Sequence, residues 1–169
     1  TGYSYIEPFL GQTGGFDADT ITAILIAFGA AGALGSVIFS KYYDRARRTF
    51  SALTISGVMV ALLLLRPSAA CLAAVVAVCV LWSAMATAFN VSFQDTIMRY
   101  SPMGAAPIGM SIFSGIFNLG IGSGAFIGGL VCTHLTIADA GYVGGIICLM
   151  SLLIFTLVVV KAMRRVSMP

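Results

Sequence analysis

Residues 107–133 read PIGMSIFSGIFNLGIGSGAFIGGLVCT, a run without one charged side chain. About 20 consecutive apolar residues carry a helix across a hydrocarbon core roughly 30 Å thick, so this run is long enough to cross a bilayer. Its glycines argue the same way. Gly120, Gly124 and Gly128 recur at every fourth position, forming a small-residue ridge that lets membrane helices approach where no water drives them together. The formal match of Gly120 through Ala125 to a dinucleotide-binding glycine pattern carries no weight. That pattern needs a preceding strand, and this one lies inside a membrane helix.

Outward from this run, four more apolar stretches mark spans near 20–40, 49–65, 69–94 and 140–162, beside 106–134 itself. The segment 1–11 is too short to cross alone and reads as the outer end of a helix whose beginning is missing. Over all 169 residues the chain is 59% hydrophobic and 9% charged, with a mean hydropathy of +1.02. A soluble domain carries about 25% charged residues, so a water-soluble globule is excluded. Nothing resembles a cleavable leader with a charged start and a short apolar region. The expected fold is an all-α integral membrane protein with five full transmembrane helices and one incomplete one.

The net charge of +3 reports topology rather than an anionic partner, because the cations sit in short connectors. Lys41, Arg45, Arg47 and Arg48 form the densest positive cluster, after the first full span. Threading the spans places Arg99, Lys161, Arg164 and Arg165 on that same side. Only Arg66 falls opposite, with Asp17, Asp19, Asp139 and His134. The positive-inside bias therefore puts the cluster and the C-terminus in the cytoplasm. Asp17 or Asp19 is expected to cap the amides opening the first full span, and Arg66 and His134, where apolar runs end, to snorkel to the interface. Cys71, Cys79, Cys132 and Cys148 lack C-x-x-C spacing and read as small buried hydrophobes, so neither a metal nor a cofactor is expected.

Polar side chains inside spans need a partner or an aqueous cavity. Ser83, Thr87, Asn90 and Gln94 fall within a narrow arc of one helix, and Ser111, Ser114 and Asn118 share a face of the next full span, largely away from its glycines. Two aligned stripes point to a water-filled cleft suited to neutral polyhydroxy or mixed polar-apolar solutes. Cross-linking of helices by the two Asn is the competing account. Gly29, Gly32 and Gly35 give the first full span a packing surface of its own. Trp82 lies deep in its span, available either for packing or for stacking on a solute. Glu7 is an acid in the otherwise uncharged stretch 3–9, YSYIEPF. Carboxyls in apolar surroundings hold their protons, which a proton-coupled site needs, but a residue so near a helix end can also reach the headgroups.

These strings together resemble bacterial sugar efflux transporters of the drug:proton antiporter branch of the major facilitator superfamily. The resemblance rests on Tyr3 through Leu10 (YSYIEPFL), Phe28 through Phe39 (FGAAGALGSVIF), Phe113 through Ala125 (FSGIFNLGIGSGA) and Gly141 through Gly145 (GYVGG), in order along nearly the whole chain. It implies that the incomplete helix and the five spans are the seventh to twelfth helices of that fold, its C-terminal six-helix half. Taken with the polar stripes, it leads to the expectation of substrate contacts from Asn90, Gln94, Ser114 and Asn118, with Tyr3, Tyr5, Glu7 and Trp82 beside them and proton coupling at Glu7. A cytoplasmic gate at Asp44, Arg45 and Arg48 is implied as well. In the gating motif Ser40 stands where Gly is usual, and the stretch from Asp44 to Arg48 is one residue short. The implied partners are an N-terminal six-helix half, a sugar or drug-like solute, protons and the lipid of a bacterial inner membrane. The competing class is a truncated, non-transporting membrane module or a partner-binding helical bundle. An enzyme is not expected, since no H-E-x-x-H, G-x-S-x-G or paired-Asp arrangement occurs.

Overall fold

In bilayer the backbone must satisfy its own hydrogen bonds, and a single chain without an alternating strand pattern can do so only as helices. A computed structural model describes residues 3–45 and 47–159 and bears this out: no strand occurs among them. A tight turn, Tyr3–Tyr5, leads into a short helix α1, Ile6–Gln12. Then come α2 (Ala18–Tyr42), α3 (Arg47–Ser68), α4 (Leu72–Tyr100), α5 (Ala106–His134) and α6 (Ala140–Ile154), the last continuing as a π turn over Phe155–Val159. Five segments are long and apolar enough to cross a membrane: Ala18–Arg45, Thr49–Ser68, Leu72–Tyr100, Ala106–His134 and Ile137–Val158. The side chains of Tyr3 and Arg48 and the tail cations Lys161, Arg164 and Arg165 lie outside the described residues.

The connectors are short and their chemistry is local. Gly15 turns the chain between α1 and α2 at φ +68°, and Gly104 does so between α4 and α5 at φ +81°, a region that side chains disfavour. Asp17 occupies the N-cap of α2, where its carboxylate accepts the Thr20 hydroxyl at 2.6 Å rather than making a side-chain capping hydrogen bond. The expected capping of α2 by an aspartate side chain is corrected accordingly. A hydroxyl one turn ahead competes for the same oxygen, and its hydrogen bond holds the Asp17 carboxyl below its ordinary pKa. The α3 helix runs on through Pro67 to Ser68, whose hydroxyl donates to the Leu65 carbonyl at 2.8 Å in the final turn.

Packing centres on α4, which lies between α2 and α3, with α6 against the far side of α3 and α5 attached more loosely along α4 and α6. Two apolar clusters pin the ends. At one end Ile6, Phe9 and Leu10 of α1 join Ile24, Leu62, Leu65, Val75, Cys79 and Trp82; at the other, Tyr43, Phe50 and Ala88 pack with Ile38 and Phe39. Between them the helices touch through glycine. A Cβ built at Gly35 would collide with the backbone of Ala84 across the α2–α4 contact, and one at Gly141 would sit 2.7 Å from the Leu62 carbonyl of α3. Gly32 meets Thr87 Oγ1 at 3.1 Å on the same terms. By contrast, Gly29 and Gly120 have open space beside them, Gly124 is half-buried, and only Gly128 of the α5 ridge is buried. Within this chain, close helix approach therefore uses Gly32 and Gly35 rather than the exposed half of the α5 ridge.

That asymmetry is testable. Overpacking a close contact typically costs 1–3 kcal/mol, so Gly35→Leu should lower the thermal unfolding midpoint of the detergent-purified protein clearly. Gly29→Leu, on the open side of the same helix, should leave it nearly unchanged. Equal effects of the two substitutions would contradict the α2–α4 packing.

Candidate functional site

At 1.5 Å per residue α4 is about 43 Å long, and residues 82–90 lie near its midpoint. This stretch faces a cleft of about 470 Å³ whose walls include Ser4, Phe28 of α2, Trp82, Ser83, Thr87 and Asn90 of α4, and Phe117 and Ile121 of α5. Trp82 is 6% exposed and stands edge-on to Phe28, ring centroids 5.4 Å apart at 84°. Ser83 is buried and Thr87 half-buried against Gly32. The polar lining holds hydroxyls and one amide but no charge, so it can exchange hydrogen bonds with a neutral solute without the desolvation cost of burying an ion. The aromatic pair adds an apolar face.

Asn90 is the most chemically specific of these groups. Its carbonyl oxygen accepts Gln94 Nε2 at 2.5 Å, and among the described residues its own Nδ2 donates to none, which leaves an amide donor for a solute. Gln94 thus orients Asn90 instead of lining the cleft. Ser114 and Asn118 are not among the lining residues either. Asn118 Nδ2 donates to the Ser114 carbonyl at 2.9 Å, an internal bond of α5, and the α5 wall of the cleft is Phe117 with Ile121. Alignment of two polar stripes in the sequence does not set the rotation of each helix about its own axis.

Glu7 is exposed and lines a neighbouring cleft of about 410 Å³ with Ile6, Leu25 and Gly29. Ser4 and Phe28 belong to both clefts, so the carboxylate sits one wall away from the Asn90 cleft. The Tyr5 hydroxyl donates to the Ala125 carbonyl at 3.1 Å, tying the start of the chain to α5. That bond commits the hydroxyl to a structural partner.

At the far end of α2 a polar network links the α2–α3 turn to the last turns of α4. Asp44 Oδ1 accepts Arg47 Nη2 at 2.7 Å and Nε at 3.3 Å, and Arg99 Nη2 lies 3.5 Å away. Arg99 Nε in turn donates to Asp95 at 2.6 Å. Beneath these exposed pairs the buried Tyr43 hydroxyl donates to the Ser92 carbonyl at 3.2 Å and lies 3.0 Å from Thr96 Oγ1. Of the expected gate residues Asp44 is engaged and Arg45 is exposed. Arg47, Asp95 and Arg99 are not among the gate residues expected from the sequence, although the i, i+4 spacing of Asp95 and Arg99 at a span end is a usable signal. Solvent screens exposed pairs, so each contributes little and this network is easily opened.

The opposite end carries one further pair. Arg66 Nη1 donates to Asp139 Oδ1 at 2.5 Å, joining α3 to the turn Ile137–Asp139 before α6, where Asp139 also accepts the Thr136 hydroxyl. Its guanidinium lies 5.7 Å from the Tyr142 ring centroid. Snorkelling alone was the expectation for Arg66; the structure gives it a protein partner 73 positions away.

Comparison with known proteins agrees with this architecture. A family profile described as Major Facilitator Superfamily matches residues 1–167. A probable sugar efflux transporter of Mannheimia succiniciproducens is 36% identical over 164 residues, which is 97% of this chain and 41% of that relative. The chain thus spans about two fifths of the length of the relative it matches.

Proposed function

This chain belongs to the Major Facilitator Superfamily, a family of transporters rather than enzymes, and we propose that it forms the C-terminal half of a proton-driven exporter of small neutral sugars. The observation that carries this reading is the uncharged, hydroxyl- and amide-lined cleft at mid-helix, with Trp82 and Asn90 on one wall. Such a lining matches a polyhydroxy solute. The similar protein from Mannheimia succiniciproducens carries a sugar efflux name, which supports the same class.

In this reading an N-terminal six-helix half supplies the opposite wall, and the two halves rock about the cleft to expose it alternately to each side of a bacterial inner membrane. Trp82 stacks on the sugar ring, Asn90 donates to a ring hydroxyl, and Ser83 and Thr87 complete the polar side. Glu7, one wall away, carries the exchanged proton. The cations around Lys41 and Arg47 face the cytoplasm, as does the C-terminus. Asp44, with Arg47 and Arg99, closes the cytoplasmic end and releases it at little cost, because each exposed pair is weak.

The test is efflux of a labelled sugar analogue from cells producing this chain joined to its N-terminal half. Efflux against a gradient should occur and should collapse when a protonophore dissipates the proton gradient. Efflux indifferent to the protonophore would remove proton coupling, and no efflux of any neutral sugar would favour a non-transporting membrane module.

A further inference from the structure

The α5 wall of the sugar cleft has a second side. Phe117 and Ile121, one turn apart on α5, line the Asn90 cleft and also a separate gap of about 590 Å³ between α4, α5 and α6. The remaining walls of that gap are nearly all aromatic or aliphatic: Phe89 and Phe93 of α4, ring centroids 4.6 Å apart, face Phe113 of α5, and Ser151 of α6 is the lone polar residue. Phe113 and Phe117 themselves lie 5.7 Å apart at 31°. Gly120 adds room, since a Cβ there would meet nothing within 4 Å.

We propose that Phe117 is the specificity-determining partition between a polar cleft and an aromatic chamber, and that it limits the size of the apolar substituent a bound sugar can carry. The proposal rests on the reading of the Asn90 cleft as the sugar site. Its physical basis is the contrast between the two compartments. A sugar hydroxyl moved into the chamber loses water and finds only Ser151, whereas an aryl group finds ring edges and faces at stacking distance and gives up no hydrogen bond. The Phe117 ring, as part of the shared wall, blocks the direct way from the cleft into the chamber. Without it the two volumes communicate, and a substituted sugar gains a place for its apolar end while the unsubstituted sugar gains nothing.

The experiment measures efflux of two glycosides of one sugar, methyl and phenyl, by cells producing this chain joined to its N-terminal half. Even one methylene in a hydrophobic pocket is worth roughly 10- to 200-fold, so Phe117→Ala should raise the phenyl-to-methyl rate ratio at least about tenfold. Phe117→Trp, which thickens the partition, should lower the ratio below that of the parent. Ile116→Ala, which alters the chamber but not the shared wall, should leave it unchanged. Should Phe117→Ala fail to accumulate, the direction of the Phe117→Trp shift decides. The proposal is overturned if Phe117→Ala and Phe117→Trp leave the ratio unmoved, or if Ile116→Ala raises it as much as Phe117→Ala. If the unsubstituted parent moves neither glycoside, the sugar-site reading itself fails and takes this one with it; a parent that moves both with an unmoved ratio in the variants defeats only the partition.

Discussion

Asn90→Leu should cut sugar efflux by roughly 5- to 150-fold, while Asn118→Leu should leave it within about twofold. The two residues look alike in the sequence, each an amide at the middle of an apolar span. Their surroundings differ. Asn90 lines the cleft with an unspent donor and its carbonyl held by Gln94, whereas Asn118 lies off the cleft and gives one amide N–H to the Ser114 carbonyl of its own helix. Losing a hydrogen bond to a solute and leaving a solute hydroxyl unpaired typically costs about 1–3 kcal/mol, a factor of roughly 5 to 150 in rate or affinity. Leu at position 90 also leaves Gln94 without its acceptor, so Gln94→Met serves as the control; it should weaken efflux less than Asn90→Leu because it only loosens the orientation of the amide. Binding of a labelled sugar to the purified protein should follow the same ranking. Equal losses from Asn90→Leu and Asn118→Leu would mean that the cleft wall on α5 is not the one described.

Glu7→Gln should abolish uphill efflux while sparing exchange of labelled for unlabelled sugar across the membrane. The amide reproduces the shape of the protonated carboxyl but cannot release a proton, so a carrier fixed in that form can shuttle sugar yet cannot draw on the gradient. The sign of the pH effect follows. In the unsubstituted protein, raising the external pH removes the inward proton gradient and should slow net efflux; with Gln at position 7 the rate should be flat across the same range. Efflux assays at several external pH values, paired with a counterflow assay, distinguish this from simple misfolding, which would remove both activities. Retention of gradient-driven efflux in Glu7→Gln would place the coupling group elsewhere. Its location supports the expectation, since the cleft that Glu7 lines shares the Ser4 and Phe28 walls with the Asn90 cleft.

The fold class was legible residue by residue. Apolar runs of spanning length are a property of composition along a line, and a continuous run without strand alternation satisfies its own backbone hydrogen bonds in a bilayer only as a helix. Glycine spacing likewise announced close helix contacts, and the α2–α4 contact at Gly35 is one of them. The polar stripe on α4 was equally readable, since residues three or four apart share a helix face whatever surrounds it.

What lies across from a face was not readable. The polar face expected of α5 does not reach the cleft; its neighbour Phe117 does, because a rotation of one residue about the helix axis, about 100°, exchanges one for the other. The pairing of Arg66 with Asp139, of Asp44 with Arg99 and of Tyr5 with Ala125 joins residues 73, 55 and 120 positions apart. Those partners depend on how several helices cross.

By itself, then, the sequence determined that this chain spans a membrane as helices, and which side chains share each helix face, because hydropathy and helical periodicity are local. Only the tertiary structure decided that Asn90 lines the cleft and Asn118 does not, that Gly35 is packed and Gly120 is not, and that Phe117 stands between two cavities. Axial rotation and crossing geometry are set by all the helices packing at once, and no single segment encodes them.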